Sequence, residues 1–213
     1  MFFSKRDYSC FLEIFQEAKI KHPCFIYSYC LMPNHFHLLV EPKEKDNISW
    51  LMKLLGGKYV RYFNNAYKRT GTLWEGRFKS SLIDKELYFL ACLHYIEMNP
   101  VRKGIVNSPE FYPWSSYRVR AFGEKNSIID LDLWYNALGN NETERQMKYR
   151  NFFQHFRPEI PYTLIRNMTK RNGIVGGNDF RESIEKLTHR EIIFRLPGRP
   201  RIKIVKNKSD PVS

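Results

Sequence analysis

His35 and His37 stand two residues apart, with Phe36 between them. On a strand that spacing sends both imidazoles to one face and the phenyl ring to the other, into the core. Two imidazoles on one sheet face can hold one metal ion when a third ligand comes from elsewhere. The same pair also fits two ordinary histidines hydrogen-bonded in a half-buried sheet, and the spacing alone does not choose between them. Tyr95 and Asn99 make a second constellation. They lie four apart in a segment that reads as a helix, so they share a face. An Asn carbonyl oxygen is a hard ligand. Joined to two imidazoles it suits Mg²⁺ or Mn²⁺, with positions left for substrate and water, better than a closed structural zinc site. Tyr95 sits one turn before that oxygen, and its phenol, with a reference pKa of about 10, needs activation to act as a nucleophile. Tyr88, Cys92, Tyr95 and Asn99 also form an ordinary helical stripe. With 13 tyrosines in the chain, pattern alone does not select Tyr95.

The elements that must carry these residues can be read from periodicity. Apolar positions Phe11, Leu12, Ile14, Phe15 and Ala18 recur at helical spacing from about Arg6 to Ile20. Phe25 to Leu31 reads as a strand, Pro33-Asn34 as a break, and His35 to Val40 as a second strand. Ser49 to Tyr67 reads as a helix that Gly56-Gly57 weakens. Phe78 to Ile83 looks like another strand, Asp84 an N-cap, and the following helix runs to Asn99, where Pro100 stops it. This order of elements with short connections suggests an α+β fold with a mostly antiparallel sheet. Residues 118–128 are polar and read as a linker. Helical segments follow near Leu131–Leu138, Glu142–Phe156, Tyr162–Lys170 and Asp179–His189.

Composition sets the class of partner. The chain has 213 residues and a formal charge of +13, and residues 141–213 hold 16 Lys and Arg against 8 Asp and Glu, which is +8 of that total. Such an excess points to a polyanion, either nucleic acid or an anionic membrane face. No apolar run reaches the roughly 18 residues of a membrane span and the N-terminus lacks a signal-peptide pattern, so the expectation is a cytoplasmic protein without a membrane partner. Cys10, Cys24, Cys30 and Cys92 show no metal-ligand spacing and read as reduced, buried small side chains.

Three segments carry a family resemblance: YCLMPNHFHLLVEP (29–42), YFNNAYKRTGTLWEGRFKS (62–80) and YIEMNPVRKGIV (95–106). Together they resemble REP-associated tyrosine transposases. These belong to the single-strand HUH nucleases, related to the single-tyrosine insertion-sequence transposases. The resemblance covers roughly residues 1–120. It implies a ferredoxin-like antiparallel sheet with flanking helices, with His35, His37 and Asn99 as metal ligands and Tyr95 as nucleophile. It also implies cleavage and rejoining of single-stranded, hairpin-containing DNA through a 5′-phosphotyrosine bond, with Mg²⁺ or Mn²⁺. Lys58, Arg61, Arg77 and Lys79 are candidate phosphate contacts. Tyr59, Tyr62, Phe63 and Trp74 are candidate base-stacking rings, or else core aromatics behind a solvated basic face. Trp114 reads as core packing.

The remaining expectations concern the ends of the chain. Residues 1–120 read as the transposase domain, 121–194 as a helical, DNA-binding region, and 195–213 as a basic tail. Leu196 to Arg201 resembles an AT-hook core, which makes Arg199 and Arg201 minor-groove candidates. Family members usually open with a strand before the first helix, whereas here Met1-Phe2-Phe3 leads almost directly into it. The strand beside the histidine strands is therefore expected to be missing, unless another segment takes its place. That departure keeps a second reading open, a non-catalytic DNA-binding derivative of such a transposase. A monomer is favoured over a dimer.

Overall fold

The computed structural model describes residues 1–189. The N-terminal tripeptide packs into the molecule: Phe2 is buried, stacks on Tyr8, and donates its N–H to the Pro33 carbonyl. Helix α1 (Lys5–Lys21) starts at Ser4, where the Asp7 carboxylate reaches back to accept from the N–H groups of Phe3 and Ser4 at 2.8 and 2.9 Å. Strands β1 (Cys24–Met32) and β2 (His35–Pro42) form an antiparallel hairpin pairing Cys30 with His37 and Met32 with His35. A bulge between Ile26 and Ser28 inserts Tyr27, so Tyr27 and Ser28 both turn to the same side.

Helix α2 (Asn47–Ala66) packs with α1 on one face of the hairpin, burying Phe11, Phe15, Leu51, Leu55, Tyr59 and Phe63 against Ile26, Tyr29 and Leu31. Phe36 joins this layer. Gly56, read as a weakness in α2, has a use: an added Cβ would come within 3.3 Å of the Trp74 indole nitrogen, which donates to the Gly56 carbonyl at 3.2 Å. Tyr59 and Phe63 are fully enclosed in this layer, the Tyr62 hydroxyl donates to Asp7, and Trp74 lies edge-on to Phe36. Tyr59 and Phe63 are thus core aromatics, while Tyr62 and Trp74 are half-buried at the rim of the layer. Trp114 likewise stacks on Tyr8, with 4.5 Å between ring centroids.

The opposite face receives α3 (Lys85–Glu97), capped by Asp84, and a short helical turn α4 (Asn99–Arg102). Pro100 therefore does not end helical structure. The long helix closes at Glu97, and Pro100 sits in the first turn of the next, where its missing N–H costs nothing. Helices α5 (Tyr117–Phe122), α6 (Leu133–Ala137), α7 (Glu142–His155), α8 (Tyr162–Arg171) and α9 (Asn178–Thr188) follow. Tyr149 and Phe153 of α7, Ile165 and Met168 of α8, and Cys92, Tyr95 and Ile96 of α3 share one hydrophobic cluster with Cys30, Met32 and Leu39 of the hairpin.

Two expectations change. The strand expected over Phe78–Ile83 shrinks to β3 (Leu82–Ile83), which pairs in parallel with β4 (Ile174–Val175). Aromatic and apolar residues supply propensity, but a strand needs a ladder partner, and β4 offers only two residues. Residues 118–128 are no linker either. Arg120 is fully buried in α5, and Ala121 and Ile128 are core.

The edge of β1 away from β2 explains why. Ile26 donates to the Asp130 carboxylate at 2.7 Å and accepts from the Asp130 N–H at 2.8 Å. The Tyr27 carbonyl takes the Arg120 guanidinium at 2.7 Å. Tyr29 exchanges bonds with Ser116, and Leu31 donates to the Trp114 carbonyl while accepting from the Tyr112 hydroxyl at 2.6 Å. Residues 112–130, which include α5 but no strand, thus take the place where a further strand would lie and satisfy the exposed backbone groups. The architecture is α+β: a two-stranded sheet between helical layers, smaller than a ferredoxin-like sheet.

Candidate active site

The hairpin places both histidines on the α3 side. His35 Nε2 and His37 Nε2 are 3.0 Å apart, and His35 Nδ1 donates to the Asn34 side-chain oxygen at 2.7 Å. An acceptor at Nδ1 fixes the tautomer and leaves the Nε2 lone pair of neutral His35 directed at its neighbour. Burial holds both imidazoles below the ordinary histidine range. Lys103 and Arg166 add to the effect at His35; His35 and Arg102 add to it at His37, which falls to about 3. Both rings are neutral at pH 7. Two nitrogens bound to one ion at about 2.1 Å and at right angles would lie about 3 Å apart, so the pair has the spacing and protonation state of two metal ligands. Among the described residues no group of three or more His, Cys, Asp and Glu side chains could hold a metal, so a further ligand drawn from these residues would be of another kind.

Tyr95 comes to His37 from α3, with ring centroids 5.7 Å apart and planes at 80°. The Tyr95 side chain is buried to 6% exposure, under the Arg102 guanidinium and beside Tyr162. Asn99 is also buried, and its side-chain amide donates to the Tyr95 carbonyl at 3.1 Å, which ties the two residues to the same turn.

The rotation of α3 is fixed from behind. Glu97, fully buried, accepts from Ser116 at 2.6 Å, Tyr149 at 2.7 Å and Ser28 at 3.3 Å, with the Arg120 guanidinium 3.9 Å away. Burial pushes this carboxyl above its ordinary range, opposed by Arg120 and the three hydroxyls. Arg120 is itself held by Asp132 at 2.9 Å. This network joins β1, α5 and α7 to the back of the helix whose front carries Tyr95.

Other sequence candidates lie elsewhere. Lys58 and Arg61 are on α2, across the sheet from Tyr95, and Lys58 is paired with Glu17 at 2.6 Å. Arg77 and Lys79 are exposed in the segment before β3. Arg199 and Arg201 lie outside the described residues. Sequence reasoning missed Arg102, Lys103, Tyr162 and Arg166. The first two stand inside the third motif, three and four residues past Asn99, where a count of cations next to a ligand candidate would have found them. Tyr162 and Arg166 reach the site only through tertiary packing.

Comparison with known proteins bears on this same region. Residues 1–99, which include both histidines, Tyr95 and Asn99, match the family model described as "Transposase IS200 like". Over those residues this chain is similar to the IS200-like transposases. A protein of Haemophilus influenzae (strain ATCC 51907 / DSM 11121 / KW20 / Rd) named "Putative REP-associated tyrosine transposase" is 28% identical over 118 residues. That match covers 50% of this chain and 66% of the relative, a little under two thirds of its length. No solved structure matches. The IS200-like region ends within the α3–α4 junction, so α5 to α9 lie beyond it.

Proposed function

We propose that this chain cleaves and rejoins single-stranded, hairpin-containing DNA through Tyr95. The observation that carries the reading is the contact of Tyr95 with His37, itself paired with His35, inside the IS200-like region. His35 and His37, with the Asn99 oxygen, would hold a divalent cation of the Mg²⁺ or Mn²⁺ class. Such an ion supplies charge neutralisation at a phosphodiester. Tyr95 Oη attacks phosphorus. A phosphotyrosine bond forms, the bond from phosphorus to the 3′-oxygen breaks, and a 3′-hydroxyl is released. Attack by a different 3′-hydroxyl reverses the step on a new strand, so the bond energy is kept and no nucleotide triphosphate is consumed. The Tyr95 side chain is buried beneath Arg102 and beside Tyr162, and limited access of water to its hydroxyl would favour strand transfer over hydrolysis. The HUH-type core would act as a monomer in the cytoplasm, with the helices after residue 121 adding DNA contacts.

The shielding of Tyr95 also supports a second reading, a DNA-binding derivative that no longer cuts. Incubation with labelled hairpin oligonucleotides and Mg²⁺, Mn²⁺ or chelator separates the two on a denaturing gel. A metal-dependent covalent adduct that disappears in Tyr95→Phe is expected. An adduct surviving that change sinks the nucleophile assignment, and no adduct with any metal favours the binder.

A further inference from the structure

The charges around Tyr95 are all of one sign. Arg102 extends over two rings at once, its guanidinium carbon 4.7 Å from the Tyr95 centroid and 4.5 Å from that of Tyr162. Lys103 and Arg166 act on His35, and Arg102 acts on His37. Arg102 and Arg157 both act on His94 and Tyr162. No carboxylate contributes at any of these four groups. Among the described residues none of Arg102, Lys103, Arg157 and Arg166 takes part in an ion pair, whereas buried Arg120 has Asp132. Cations gathered on one face without a carboxylate partner repel one another, and a bound anion offsets that repulsion.

The geometry also selects the kind of anion. Two aromatic neighbours restrain the Arg102 fork, and its N–H donors have no protein acceptor among the described residues. A restrained planar fork suits the paired oxygens of a phosphodiester. Arg166 lies one turn after Tyr162 on α8, so the helix that brings the second ring also brings a second cation to the same face. Arg102, Lys103 and Arg166 are exposed and open to a strand arriving from solvent.

We infer that Arg102 and Arg166, with Lys103 beside them, clamp a phosphodiester of single-stranded DNA over the His35–His37–Tyr95 face. One jaw comes from α4 and the other from α8, outside the IS200-like region. The clamp rests on the strand-transfer reading and extends it to residues that the family match does not cover.

The test uses full-length protein carrying Tyr95→Phe, so that binding is read without chemistry. Affinity for a hairpin-bearing single-stranded oligonucleotide is followed by fluorescence anisotropy across a salt series, with melting temperature as the folding check. Each lost phosphate contact lowers the slope of log K against log salt by about 0.7 for single strands. Arg166→Ala should lower it by about 0.7, and the Arg102→Ala, Arg166→Ala double variant by about 1.4. Arg102→Lys should keep the slope but lose affinity by about tenfold, because an ammonium neither stacks nor forks. Arg166→Ala stands alone as a test should changes at Arg102 unsettle the fold. Binding with an unchanged slope in Arg166→Ala and the double variant overturns the clamp and leaves the transposase reading intact. An equal loss from Lys53→Ala, on α2 across the sheet, reveals a diffuse basic surface and also overturns it. A parent that binds no DNA overturns both readings.

Discussion

His94 neighbours Tyr95 on α3 and is nearly enclosed, so its proton inventory follows from its partners. Its Nε2 faces the Phe153 carbonyl at 3.1 Å, which can only accept, so Nε2 carries the hydrogen. Nδ1 is left bare and takes the Tyr162 hydroxyl. Burial brings this imidazole down to about 4 against the opposing hydrogen bond to the Phe153 carbonyl, with lesser lowering by Arg157 and Arg102. The unfolded chain therefore binds more protons than the folded one between the ordinary value near 6.5 and about 4. The stability this neutral histidine contributes is full above that window and is lost as pH falls through it. Its size is of order 2–3 kcal/mol. Urea denaturation of wild type and His94→Gln at pH 7, 5.5 and 4.5 should show a gap that narrows as pH falls; a gap constant with pH would refute the assignment. The histidine pair gives a second prediction. Mn²⁺ should raise the melting temperature of the wild type, by an amount equivalent to about 2.7 kcal/mol at a hundredfold excess over Kd. The rise should vanish in His37→Ala and on adding chelator, a thermal-shift readout independent of DNA cleavage.

At the scale of elements, the aim of Tyr95 is a property of α3, and Glu97 is the handle by which the rest of the protein grips that helix. Glu97→Ala leaves Arg120 and three hydroxyls without their shared acceptor in a buried site. Removing one partner of such a network costs about 3–5 kcal/mol. Ser116 and Tyr149 donate to different oxygens of Glu97, so Glu97→Gln keeps an acceptor for one of them and should cost less than Glu97→Ala in the same denaturation series. Equal stability of Glu97→Ala and wild type would show that the network does not hold the helix. Little of this was legible in the sequence. The α3 span, its Asp84 cap and the histidine strand were, because each is written in local periodicity and cap chemistry. Glu97 looked like an ordinary helix glutamate, and Arg120 like part of a polar linker, because their partners are distant in the chain: Ser28 for one, the Tyr27 carbonyl and Asp132 for the other. The strand expected over Phe78–Ile83 failed for the reverse reason, having local propensity but only a two-residue partner.

The whole molecule depends on residues beyond the IS200-like region in two ways. Residues 112–130 close the outer edge of β1, and α7 and α8 fill the cluster that also contains Cys92, Tyr95 and Ile96. The closing of that edge was not legible in the sequence, since Trp114, Ser116 and Asp130 form no strand pattern. A chain of residues 1–120 lacks Asp130 on Ile26, Asp132 on Arg120, and Tyr149 on Glu97. It also exposes the Tyr117 ring that packs on Phe153 at 4.8 Å. Leaving Arg120 without Asp132 and opening half a core should together exceed the 5–15 kcal/mol that typically stabilises a domain. The expected outcome is no cooperative urea transition for residues 1–120, together with strong binding of a hydrophobic dye, against a single sharp transition for the full chain. A sharp transition in the short chain, with loss of only part of the unfolding enthalpy, would mean that the IS200-like region folds alone. The later helices would then be an independent addition, and Tyr95 would lie open wherever Tyr162 had been removed.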